Sequence, residues 1–147
     1  MKSQFSITDL SQSTSKLCLL SNGSHPGTAP KPFALATLRR LHFPTDGLYS
    51  KDWNEFANPG APVMDFVFTV CDQAAGEVCP VWPGQPITAH WGVEDPSQFQ
   101  GSDGQKSDKF ATVASILKRR IELFVSLPIA KLGRLKLQQQ LGAIGKQ

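Results

Sequence analysis

Val63-Met64-Asp65-Phe66-Val67-Phe68-Thr69-Val70, followed by Cys71 and Asp72, decides the fold. The run is nearly all apolar and rich in β-branched and aromatic residues. It does not alternate cleanly between polar and apolar. Such a run suits a strand covered on both faces, as in a parallel sheet between helices. Upstream it is set off by the hard break Pro59-Gly60-Ala61-Pro62. Downstream a long loop region extends to about residue 101, holding Pro80, Pro83, Pro86 and Pro96, with a brief strand near Ile87 to Trp91.

The flanking elements are helical. Ser102 with Gln105 forms a capping box pattern. Phe110, Val113, Ala114, Leu117, Ile121 and Phe124 then recur at steps of three and four, which predicts a helix over 103–127. Pro128 ends it, and a short basic helix over 131–141 presents Leu132, Leu135 and Leu141. Before the decisive strand, Pro32 suits a first helical position and opens a helix over 32–42. Phe33, Leu35, Ala36, Leu38 and Leu41 carry its partial apolar spacing. Ser50 can cap a short helix through Phe56. Leu17 to Leu20 is long enough for a strand, and Ser21 to Gly27 is a cluster of turn formers. Strands alternating with helices give an α/β architecture.

The chain has 147 residues, 40% of them apolar, with a net charge of +3. That is one domain's worth of chain and excludes intrinsic disorder. Three cysteines do not make a disulfide scaffold. Residues 1–16 are polar and lack the apolar region of a signal peptide. No apolar run is long enough to span a membrane. A reducing, cytoplasmic setting is therefore expected. Lys118-Arg119-Arg120 and Lys131, Arg134 and Lys136 read as solvated helix faces, with no nucleic-acid-binding motif beside them.

Cys71 closes the decisive strand, and open α/β sheets bind ligands outside the carboxyl ends of their strands. A working cysteine acts as thiolate and needs exposure; otherwise it is a small buried hydrophobe. Cys71 and Cys79 would stand about 12 Å apart along a helix and roughly 26 Å apart when extended. A disulfide needs Cα atoms within about 7 Å, so bonding this pair demands a loop, which Ala74-Ala75-Gly76 permits. Oxidation could then pin that loop and reduction free it. Asp95 precedes Pro96 and is held extended. It is either a turn starter or a carboxylate aimed at a pocket as general acid or base. His25, His42 and His90 form no ligand pattern with the cysteines, and the Cys71–Cys79 spacing is not that of a zinc knuckle. Phosphate-loop and dinucleotide-binding patterns are absent, so neither a metal nor an organic cofactor is implied. Trp53, Trp82 and Trp91 read as core or pocket walls.

Met64 to Asp72, Cys79-Pro80-Val81-Trp82-Pro83-Gly84 and Ala89-His90-Trp91-Gly92-Val93-Glu94-Asp95-Pro96 together resemble one family. It is that of arsenate reductases built on the low-molecular-weight protein tyrosine phosphatase fold, a doubly wound parallel sheet. Gly23-Ser24-His25-Pro26, Ser50-Lys51-Asp52-Trp53 and Arg119 to Phe124 extend the likeness over roughly residues 21 to 145. The resemblance implies reduction of arsenate to arsenite by a relay of thiols. A first Cys in a C-x5-R-S loop attacks the oxyanion, a second Cys releases arsenite, and a third resolves the disulfide. A thioredoxin- or glutaredoxin-type reductant then reopens it. By position Cys71 matches the second Cys, Cys79 the third and Asp95 the general acid.

One part has no counterpart here. Cys18 is the only early cysteine, and its spacing does not place an Arg as the loop requires. Cys18 falls instead within the family's second strand. The first strand, loop and helix are expected to be lost or replaced by residues 1–16, leaving a divergent segment ahead of a domain over 17–147. The second and third strands would then lack their shared neighbour; Phe5 to Leu10 alternate weakly and offer a partial substitute, but Asp9 and the serines argue against a buried central strand there. A truncated, impaired reductase is the first expectation. The alternatives are a non-catalytic relative of the same fold and a tyrosine phosphatase, which needs no shuttle pair.

Overall fold

The apolar run folds as strand β3, Phe66–Cys71, in a computed structural model that describes residues 4–8, 18–22, 27–56, 58–71 and 82–147. Its side chains alternate between two buried clusters. Phe66, Phe68 and Val70 face one way, into the main core. Val67 faces the other way, packed with Phe56, Met64 and Trp82. Both faces are thus covered, which is why the run is apolar throughout. Strand β4, Ile87–Val93, pairs with β3 in parallel and sends Ile87, Ala89 and Trp91 into the main core.

Two further strands complete a sheet of order β2-β1-β3-β4. Here β1 is Gln4–Thr8 and β2 is Cys18–Asn22. Strand β1 runs antiparallel to both neighbours, so β2, β3 and β4 share one direction. This corrects the expectation that β2 and β3 have no shared neighbour. Phe5 and Ile7 alternate with Ser6 and Thr8, the period a strand needs. Placed centrally, β1 satisfies backbone groups on both sides. The α/β class stands, with the central position filled by a strand of opposite direction.

Helix α1, Pro32–Arg40, starts at its proline as expected and stacks Phe33 on Phe110 of α2 at 5.8 Å. Helix α2, Asp103–Val125, opens on the Ser102–Gln105 capping box with both reciprocal hydrogen bonds formed. After a 3-10 turn at Ile129–Lys131, helix α3 spans Arg134–Ile144. Two details differ from expectation. The short turn Trp53–Phe56 is capped by Asp52, whose carboxylate accepts the Asn54 N–H at 2.8 Å, rather than by Ser50. In α3 the buried stripe is Leu137, Leu141 and Ile144, while Leu135 is 75% exposed. Starting the helix at Arg134 sets a phase in which Leu135 points away from that stripe. Trp82 and Trp91 are buried as expected; the side chain of Trp53 lies outside the described residues.

The C-terminal turn of α3 lies directly on β4. A Cβ on Gly145 would stand 2.6 Å from the His90 carbonyl oxygen and 2.8 Å from the Trp91 ring. Backbone cannot yield as a flexible side chain does. Gly145→Ala is therefore expected to cost about 1–3 kcal/mol, by overpacking, in a urea unfolding measurement. An unchanged midpoint would show that α3 does not approach β4 this closely.

Candidate functional site

Because β2, β3 and β4 run the same way, their carboxyl ends share one edge of the sheet, where such folds bind ligands. Cys71 is the last residue of β3, and its backbone partner is Val93, the last residue of β4. Asp95 follows two residues later. The structure thus brings the backbone of Cys71 and that of Asp95 to the same edge. At about 4.8 Å between strands and 3.3 Å per residue, their Cα atoms are separated by roughly 8 Å. Cys79, Asp72 and the Gly23 to Pro26 turn lie outside the described residues.

Asp95 initiates the 3-10 turn Pro96–Gln98, and its Oδ1 accepts the Ser97 N–H at 2.9 Å. Burial works against the charged form, but hydrogen bonds from the Ser97 backbone and side chain and from Gln98 prevail. They hold the carboxyl below its ordinary value of 3.8. The resting group is therefore a carboxylate at neutral pH. A folded-state value below the unfolded one adds stability that is complete well above 3.8 and is lost as pH falls through the lower folded value. The urea midpoint of Asp95→Asn is accordingly expected to fall short of the parent at pH 7 and to converge with it in strong acid. A constant difference across that range would separate the effect from the charge.

Other groups surround this edge. Glu94 is ion-paired with Lys109 of α2. Thr69 Oγ1 and His90 Nδ1, on adjacent strands, share a hydrogen bond of 2.8 Å. Arg120 was expected on a solvated face with Lys118 and Arg119, but it is only 7% exposed. Its Nη1 donates to the main-chain oxygens of Trp91 at 2.8 Å and Gly92 at 3.1 Å. The signal was its phase: Val113, Leu117, Arg120 and Phe124 form one helical stripe. Arg134 and Lys136 are exposed as expected. Cys18, the first residue of β2, pairs with Thr8 at the opposite edge of the sheet. Among the described residues no cluster of three or more His, Cys, Asp or Glu could hold a metal. Nor is any helix among them long and apolar enough to cross a membrane.

A mixed α/β sheet, with three strands running one way and a cysteine and an aspartate at their carboxyl edge, defines a class, and comparison with known proteins places the chain within it. The family model described as low molecular weight phosphotyrosine protein phosphatase matches residues 14–139, and the chain belongs to that family. Over 60 residues it is 38% identical to an arsenate reductase of Halalkalibacterium halodurans, covering 41% of this chain and 42% of that one. Over the same length it is 38% identical to an arsenate reductase of Oceanobacillus iheyensis and 35% identical to one of Bacillus subtilis. The match thus spans less than half the length of these curated relatives.

Proposed function

We propose that this chain carries the thiol-relay half of an arsenate reductase: Cys71 as the second relay thiol, Cys79 as the third and Asp95 as the acid. Its partners are arsenate or a phosphate-like oxyanion and a thioredoxin- or glutaredoxin-type reductant, in the cytoplasm. The reading is carried by the likeness to curated arsenate reductases, supported by the shared edge of Cys71 and Asp95. In the complete reaction, arsenate takes two electrons and leaves as arsenite while two thiols become a disulfide. Cys71 would supply the thiolate that attacks the sulfur of a cysteine–arsenate adduct, forming a disulfide with that cysteine as the S–As bond breaks and its electron pair leaves with arsenic as arsenite. Cys79 would then attack the Cys71 sulfur and release the first cysteine as thiolate, and the external dithiol would reduce the resulting Cys71–Cys79 bond while itself becoming a disulfide. Asp95 rests ionised, so it must gain its proton as an oxyanion arrives; a neighbouring negative charge raises a carboxyl's pKa.

The relay is tested without arsenate. Under mild oxidation with glutathione disulfide, peptide mapping is expected to show one intramolecular Cys71–Cys79 bond, which reduced thioredoxin reopens. Cys18→Ser is expected to leave this bond forming as before, since Cys18 stands at the other edge. If Cys71 and Cys79 both stay free, the relay reading fails.

A further inference from the structure

The ladder between β3 and β4 shifts register near its end. Thr69 pairs with His90 but Cys71 pairs with Val93, so β4 carries one residue more than β3 over this stretch. Such a bulge leaves main-chain groups outside the ladder. Arg120 meets them from α2. Its Nη1 bridges the consecutive oxygens of Trp91 and Gly92. Its Nε and Nη2 donate to the main-chain oxygen of Gln147 at 3.3 and 3.1 Å. One rigid fork therefore holds the bulge on one side and the end of the segment after α3 on the other.

The bulge decides where Asp95 stands. In an unshifted ladder Cys71 would face Gly92, and Asp95 would lie three residues past its partner. With the shift it lies two residues past Val93. That is one full pleat, and it draws Asp95 nearer the level of Cys71 by about 3.3 Å.

We propose that Arg120 is a positioning residue of the thiol site: by holding the β4 bulge it sets Asp95 one pleat, rather than three residues, past the level of Cys71. The proposal rests on the reading of Cys71 and Asp95 as relay thiol and acid. Among the described residues near this edge, Glu94 is paired with Lys109 and His90 is bonded to Thr69.

The test is the rate at which iodoacetamide alkylates Cys71 in the full chain at pH 7, mapped by mass spectrometry. Asp95→Asn removes a nearby negative charge and is expected to raise that rate about two- to fourfold. In the Arg120→Met background, with Asp95 about 3.3 Å farther away, the same change is expected to raise the rate less than about twofold. Arg120→Lys keeps the charge but not the fork; it is the milder variant if Arg120→Met does not fold, and it is expected to reduce the factor by less than Arg120→Met does. Val113→Ala, which loosens α2 elsewhere, is expected to keep the full factor. An undiminished factor in the Arg120 variants overturns the proposal. So does its loss in Val113→Ala, or the absence of any effect of Asp95→Asn in the parent. Failure of the Cys71–Cys79 bond to form, with this coupling intact, would reject the relay and leave the positioning role standing.

Discussion

Supplied with arsenate, thioredoxin, thioredoxin reductase and NADPH, this chain by itself is expected to oxidise no NADPH above the arsenate-free rate. The proposed relay thiols would act only after a first thiolate has bonded to arsenic, and that thiolate would need a cradle of donors. Removing even one such donor from an oxyanion site costs about 10²–10³-fold in rate. Here the C-x5-R-S pattern is missing altogether. The direction of β1 makes the loss deeper than a missing motif. Strand β1 runs opposite to β2 and β3, so its carboxyl end, Thr8, leaves the sheet at the edge where β2 begins. Thr8 and its partner Cys18 lie about six residues, or about 20 Å, along the strands from the level of Cys71. Neither the end of β1 nor Cys18 stands where it could deliver an arsenic adduct to Cys71. Arsenate-dependent turnover abolished by Cys71→Ser would overturn this expectation. Turnover abolished by Cys18→Ser would show that the first two strands are arranged otherwise.

How far the sequence disclosed this arrangement depends on which physical signal each element carries. Pro32, the Ser102–Gln105 pair and Pro128 act locally, and the helices they bound begin or end within a few residues of the expected places. The decisive strand was legible because burial on both faces writes an uninterrupted apolar run. Strand direction writes no such signal. Phe5 to Ile7 has the alternation of a strand, yet nothing in its period says that it enters the sheet centrally and antiparallel. Arg120 was hidden by its neighbours, because two exposed cations beside it invite a single reading for all three. Cys71 and Asp95 were each legible, one as the end of an apolar run and the other as the residue before a proline. Their relative height along the strands was not, since it depends on a bulge that neither residue encodes.

Phe124→Ala is expected to lower the unfolding free energy by about 3–5 kcal/mol, read from urea midpoints with unchanged slope. Phe124 is 1% exposed and sits where α2 meets the sheet. Its ring meets Phe66 at 5.1 Å, Phe68 at 5.2 Å and Trp91 at 6.3 Å, each edge-on. Those three residues belong to β3 and β4, so the ring clamps the two strands that carry Cys71 and Asp95 to their edge. Truncation removes the burial, leaves a cavity and forfeits edge-to-face contacts, each pair of which contributes about 0.5–1.5 kcal/mol beyond its area. A domain of this size has about 5–15 kcal/mol in total, so the variant should stand near the limit of folding. Phe124→Leu fills part of the space and is expected to lose less than half as much. The same order should appear at the site: protection of the Cys71 and Val93 amides from hydrogen exchange should fall in Phe124→Ala by the loss in global stability. A loss below about 1 kcal/mol would mean that the α2 ring does not pack against these strands.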